Sequence, residues 1–269
     1  MLRRLLPHLP LLGALLLALA LRLWGLGWGL PSATHYFSYH PDESMVLIHA
    51  MNMNLLRGDL LPHFYNYGSL QLYLVNFANT LAFLFGSGSL TITDFTTQYP
   101  QWAQLYLVGR GLTVAMGVGT VWATYALGAR LWGRRAGVLA AVVLAVMPLH
   151  VQHSHWLTVD VPATFWGTLS LHWAARLATG DPRPLRAAVL AGVFAGLAAA
   201  TKYNLALMLL PVALASLLPF PGREGTGRLR PGLGLLPGGA GAVLAFLLAC
   251  PGAALDYGRF RQDFGYEAY

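Results

Sequence analysis

Charge is the scarcest property of this 269-residue chain, in which Asp, Glu, Lys and Arg together make up 10% of the residues. An ordinary soluble domain carries about 25%. So few charges cannot cover the surface of a water-soluble molecule of this length, and that class is excluded. Lysine is almost missing: Lys202 stands alone against sixteen arginines. With Cys250 as the single cysteine, no intramolecular disulfide can form. Long polar low-complexity tracts are also absent, which excludes a disordered chain.

What is abundant is apolar. Hydrophobic residues reach 56% and the mean hydropathy is +0.54, the composition of an integral membrane protein. The formal net charge of +7 does not point to nucleic acid, because the basic residues sit singly or in small groups between apolar runs. Such a distribution marks topology instead.

Crossing a bilayer takes roughly 20 apolar residues. The first candidate runs from Leu9 to Leu30, behind Arg3 and Arg4. A cleaved signal peptide is the alternative, but Arg22 and Trp24–Trp28 continue the segment without a clear small-residue cleavage site, which favours an uncleaved helix. Further runs lie at Trp102–Arg130, Ala136–Val151, Val161–Leu177, Arg186–Ala200, Leu205–Phe220 and Leu233–Cys250. Three arginine clusters follow alternate runs: Arg134 and Arg135; Arg176, Arg183 and Arg186; and Arg223, Arg228 and Arg230. Placing all three in the cytoplasm satisfies the positive-inside rule with strict alternation.

The expected architecture is therefore an all-α polytopic bundle of about seven spans, with a cytoplasmic N-terminus and a long outer loop over 31–101. Residues 1–269 read as one transmembrane module, complete or the N-terminal part of a longer protein. Ser69–Phe85 is short and carries Gln71, Asn76 and Asn79, so it reads as an interfacial or re-entrant helix; an eighth span is the alternative.

Asp181 and Glu224 fall in cytoplasmic turns, Asp59 and Asp94 in the long outer loop, and Asp256, Asp263 and Glu267 in the outer tail. That leaves Asp42, Glu43 and Asp160, all expected at the outer face at membrane level. Carboxylates near hydrocarbon are functional candidates by default. Helix capping is the plainer reading for Asp42 and Asp160, and the two roles are compatible.

The order and spacing of several motifs resemble the C-type glycosyltransferases, in the branch of protein O-mannosyltransferases and bacterial lipid A aminoarabinose transferases. His40-Pro-Asp-Glu43 after a first helix resembles their acidic motif. Arg57-Gly-Asp59 with Tyr65-Asn-Tyr-Gly-Ser-Leu70 resembles the loop before their second interfacial helix. Gly109-Arg-Gly-Leu112 and Leu131-Trp-Gly133 resemble the second span and the turn that closes it. Pro148-Leu-His-Val-Gln-His-Ser154 through Asp160 resembles the second acidic site, and Gly196-Leu-Ala-Ala-Ala-Thr-Lys-Tyr203 the helix end carrying a lysine. Two departures stand out: Tyr67-Gly68-Ser69 replaces a common double proline, and His155 replaces an arginine.

The resemblance implies transfer of a hexose or pentose from a polyprenyl-phosphate donor to a lipid, glycan or protein acceptor, on the outer side of the plasma membrane and with inversion. An acceptor hydroxyl must lose a proton as it attacks, so a positioned carboxylate is required. Asp42 is the expected base, with Glu43 orienting substrate and Asp160 holding the acceptor. The leaving phosphate gains negative charge, which a cation stabilises. Lys202 and Arg110 are the candidates, with Tyr203 as a hydrogen-bond donor; snorkelling to the interface is the alternative for Arg110. His40, Tyr65, Tyr67 and His155 are candidate substrate contacts, although the loop aromatics suit an interfacial belt equally well. His150, His153 and His155 could assist a divalent metal, but their spacing matches no tight ligand set. No cofactor is otherwise implied, and no nucleic-acid partner. A transporter would place charges mid-span and repeat its halves, which this sequence does not do. A non-catalytic lipid-linked-sugar-binding or scaffold module remains the other reading.

Overall fold

The computed structural model describes residues 8–86, 97–218 and 230–268. Arg3, Arg4, Asp94, Arg223, Glu224 and Arg228 lie outside them. The regular secondary structure of the described residues is all helical, with isolated bridges only at Ser32–His35 and Asn54–Asp59. In chain order the helices are α1 (Leu9–Leu23), α2 (Pro41–Met51), α3 (Leu70–Leu84), α4 (Tyr99–Trp132), α5 (Arg134–Val146), α6 (Pro148–His153), α7 (Asp160–Ala178), α8 (Pro184–Ala199), α9 (Leu209–Leu217), α10 (Leu235–Ala249), α11 (Gly252–Leu255) and α12 (Tyr257–Ala268).

By length and composition, one described helix, α4, is long and apolar enough to cross a membrane; its 34 residues extend about 51 Å. α1, α3, α8 and α10 are apolar but shorter. α4 is the spine: α1, α5 and α7 pack along it, and α7 continues the layer to α8 and then α10.

Three expected spans are interrupted, each for a local reason. Leu9–Leu30 stops being helical at Leu23, where Gly25 and Gly29 adopt left-handed φ values of 80° and 66° and turn the chain back. Ala136–Val151 divides at Met147–Pro148. A residue before proline is driven out of helical conformation, and Met147 is extended at φ −61°, ψ 114°. Leu205–Phe220 starts as a 3-10 helix over Tyr203–Met208 before α9.

Ser69–Phe85 forms α3, and its amides face inward, where Gln71, Asn76 and Asn79 are buried. Asn76 Nδ2 donates to the carbonyls of Ala50 and Met53 at 2.8 and 3.0 Å, satisfying groups that the end of α2 leaves open. Around this contact Val46, Leu47, Leu72, Val75, Tyr106 and Leu157 form the largest apolar cluster, so α2 and α3 are packed onto α4.

α8 and α10 approach closely because small residues face each other. A Cβ on Gly192 would collide with the Gly238 carbonyl, and one on Gly196 with the Ala242 carbonyl. Small residues permit this backbone approach where apolar helices gain nothing from leaving lipid. Gly196→Leu should therefore force α8 from α10 and lower the thermal unfolding midpoint in detergent. The overpacking cost is about 1–3 kcal/mol; an unchanged midpoint would mean that the helices separate without loss.

Candidate functional site: two acidic motifs joined by a buried ion pair

His40-Pro41-Asp42-Glu43 starts α2 because Pro41 fits the first helical position and His40 serves as N-cap, its Nδ1 accepting the Asp42 amide at 3.3 Å. One helical step then separates two different carboxylate environments. Glu43 turns inward and is 0% exposed. Arg110, also 0% exposed, donates from Nε to Oε1 at 2.8 Å and from Nη2 to Oε2 at 2.7 Å. Leu157 N–H adds a 2.6 Å bond to Oε1, and Ser38 Oγ–H donates to Oε2. The remaining arginine nitrogen, Nη1, donates to the Leu26 and Trp28 carbonyls at 2.7 and 2.8 Å. The glycine-rich turn after α1 supplies exactly those two carbonyls. Trp156 lies against the same guanidinium, 5.0 Å from ring centroid to Cζ.

Glu43 and Arg110 are thus an internal strut. Both side chains, expected to orient substrate and to bind phosphate, are engaged in a bond that ties α2, α4, the 24–29 turn and the approach to α7. Arg110 does not snorkel, because its charge is matched where it sits.

Asp42 differs. Half-buried in the first turn of α2, its carboxylate has no hydrogen-bond or ion-pair partner among the described residues. Nor does it cap the helix, since His40 does.

Asp160 is the first residue of α7, behind the N-cap Val159, which has no polar side chain to cap the helix. Lys202 Nζ donates to Oδ1 at 2.7 Å, while His153 Nδ1 stands 3.7 Å from Oδ2. At 36% and 37% exposure, Asp160 and Lys202 remain open to a ligand. The extended backbone of Lys202, at the end of α8, aims its side chain across to α7.

Tyr203 ties this turn to the outer loop, its hydroxyl donating to the carbonyls of Tyr65 and Tyr67 at 2.9 and 3.0 Å. Gly68 follows. A Cβ there would strike the Ala200 carbonyl, which instead accepts the Leu70 amide at 3.0 Å. The departure from the double proline is therefore a close backbone approach. Burial, and then the charges of Asp42, Glu267 and Asp160, hold the Tyr67 phenol above its ordinary pKa, so it stays a donor in the field of both acidic sites.

Tyr65 is buried: its N–H donates to Asp263 Oδ2 at 2.9 Å and its hydroxyl to Asp256 Oδ2 at 3.1 Å, while Asn66 donates to Glu267 at 3.0 Å. The three outer-tail carboxylates thus clamp the 65–67 loop. His155 Nε2 is 3.2 Å from the Leu21 carbonyl, and His40 packs on Trp156 with centroids 5.3 Å apart. Sequence reasoning missed Ser38, Trp156, the Leu157 amide and the clamp by α12. The amide has no side-chain signal; Asp256, Asp263 and Glu267 could have been noticed as acidic residues on a tail with helical spacing. Among the described residues no group of three His, Cys, Asp or Glu side chains is positioned to hold a metal ion.

Leaving one partner of a buried ion pair alone costs about 3–5 kcal/mol. Glu43→Gln and Arg110→Met should each destabilise the protein to that extent in detergent melts. The double variant should lose less than the sum. Additive losses would show that the two side chains do not act as a pair.

The architecture has solved counterparts. An oligosaccharyltransferase from Archaeoglobus fulgidus, AglB, in complex with an inhibitory peptide and a dolichol-phosphate, superposes with a TM-score of 0.54 at 18% identity. The match covers 97% of this chain and 35% of that one. The same organism's oligosaccharyltransferase tethered to an acceptor peptide gives 0.52 at 18% identity, over 95% and 35% of the two chains. The chain therefore spans about a third of the length of these enzymes, and at this identity the likeness shows a shared fold. No curated protein sequence matches it significantly. The sequence profile described as dolichyl-phosphate-mannose-protein mannosyltransferase matches residues 104–250, more than half of the chain, and the protein accordingly belongs to that family of integral-membrane C-type glycosyltransferases.

Proposed function

We propose that this protein transfers a single sugar, a hexose or pentose, from a polyprenyl-phosphate donor to an acceptor hydroxyl at the outer face of the membrane. The observation that carries the reading is the unpartnered Asp42 carboxylate, fixed beside a buried strut whose Glu43 accepts the Leu157 amide three residues before Asp160. A base that must take up a proton needs free lone pairs and a rigid support.

In the step proposed, the acceptor oxygen attacks the anomeric carbon while Asp42 takes its proton. The bond from that carbon to the phosphate oxygen breaks with inversion, and polyprenyl phosphate leaves with its additional negative charge. Lys202 meets this charge. Its ion pair with Asp160 orients the ammonium before the donor arrives, and the phosphate competes with Asp160 for it. Tyr67 donates its phenol proton to substrate oxygen, and Tyr203 holds the loop that carries Tyr67. The topology that accompanies this reading has about seven spans, with the α4–α5 and α7–α8 turns in the cytoplasm.

Release of free polyprenyl phosphate from a labelled lipid-phosphate-sugar pool in reconstituted membranes tests it. A positioned general base contributes about 10²–10⁴-fold. Asp42→Asn should lose turnover within that range while retaining the wild-type melting temperature. Lys202→Met should lose about 10²–10³-fold, the scale for one stabilising group at a developing anion. Equal release from wild type and Asp42→Asn would overturn the assignment of the base. Donor binding without release by the wild type would make this a donor-binding module instead.

A further inference from the structure

The end of the bundle opposite Asp42 carries a concentration of charge that sugar transfer does not use. Arg130 closes α4 there and knits two turns together, donating from Nε to Thr179 Oγ1 and from Nη2 to the Gly180 carbonyl, both at 2.7 Å. Arg176, in the last turn of α7, lies with its Cζ 4.6 Å from the Trp173 ring centroid. Arg186, in the first turn of α8, reaches the same indole at 5.6 Å. Each cation–π contact is favourable, but two guanidiniums held at one ring repel each other.

Among the described residues, one carboxylate answers Arg176. Asp181, 4% exposed, accepts Arg176 Nε at 2.6 Å and the backbone N–H of Arg183 at 2.8 Å. Burial would raise the Asp181 carboxyl, yet the Arg183 amide and Arg176 together hold it below the ordinary range, so it is saturated as an anion. The Arg183 and Arg186 side chains are exposed and have no hydrogen bond or ion pair among the described residues.

We propose that Arg176 and Arg186 at the Trp173 ring, with Arg183 in the turn between their helices, form a binding site for the phosphodiester headgroup of an anionic phospholipid. Three features of the surroundings select a lipid. Arg130 stands twenty residues beyond Arg110 on α4, about 30 Å along the axis, which is the thickness of a bilayer's hydrocarbon core. Leu185 and Trp132 flank the arginines and are 54% and 74% exposed, apolar surface on which acyl chains lie and an indole suited to headgroup level. The excess positive charge of the described residues here, with one saturated carboxylate among them, complements an anionic leaflet.

Native mass spectrometry of the full chain in detergent, with phosphatidylglycerol or phosphatidylcholine added, reads this directly. Wild type should retain phosphatidylglycerol in preference to phosphatidylcholine. Arg183→Gln/Arg186→Gln removes two exposed cations and should weaken phosphatidylglycerol retention about 25-fold, since each arginine at an anionic surface contributes about fivefold. Arg134→Gln/Arg135→Gln removes equal charge from the start of α5, where neither residue stacks on Trp173, and should weaken it less than threefold. Equal losses in the two double variants would overturn the site in favour of diffuse charge. Unchanged retention in the first variant, or equal retention of both lipids by wild type, would overturn it outright. Because none of these residues belongs to the sugar-transfer site, the outcome is independent of whether Asp42 is a base.

Discussion

The rest of the structure depends on one buried ion pair. Taking a carboxylate and a guanidinium out of water costs several kcal/mol per ion, and the cost is recovered only when nearly every lone pair and proton finds a partner. Glu43 and Arg110 meet that demand by recruiting backbone from three other places: the Leu26 and Trp28 carbonyls, the Leu157 amide and the Ser38 hydroxyl beside them. The requirement for satisfaction is therefore also the device that assembles this end of the bundle. Asp42 is held at the edge of this network without being consumed by it, so one acidic dipeptide occupies two different environments.

A second carboxylate–cation pair, Asp160–Lys202, sits across the same region under the opposite condition. It is about a third exposed and singly bonded. Solvent screening makes such a pair weak, so it can exchange partners, whereas the Glu43–Arg110 pair cannot. Burial divides the charged residues of this end into those that build and those that remain available. Tyr203 holds the 65–67 loop, which Asp256, just before α12, and Asp263 and Glu267 on α12 clamp from the other side.

At the other end the helix termini are joined by arginine. Arg130 on the Gly180 carbonyl supplies positive charge where α7 leaves acceptors open, the arrangement that a helix C-terminus favours. Arg22 does the same inside the bundle. It donates to the Ala18, Ala145 and Leu144 carbonyls and to His150, and so seals the break before Pro148. Arginine suits these positions because one rigid fork can serve several acceptors at once, which gives the near-absence of lysine a structural sense.

The sequence alone determined the class, an all-helical membrane protein, through its apolar content, and the family through the order of its motifs. It also singled out Asp42, Asp160 and Lys202 as candidates, because a charge is conspicuous where charges are few. The apolar helices were legible except at Leu23, Met147 and Leu209, where hydropathy runs on through a change of backbone conformation that glycine, proline or a 3-10 turn imposes, while the polar helix α12 carries no apolar run to announce it. What only the tertiary structure decided was which charges pair. Glu43 and Arg110 are separated by 67 positions and Asp160 and Lys202 by 42, and hydropathy and spacing carry no record of contact at such distances. Nothing in the sequence shows that the Arg110 guanidinium is enclosed. The physical reason is general: the role of a charged group is set by its solvation and its neighbours, both of which are properties of the folded chain.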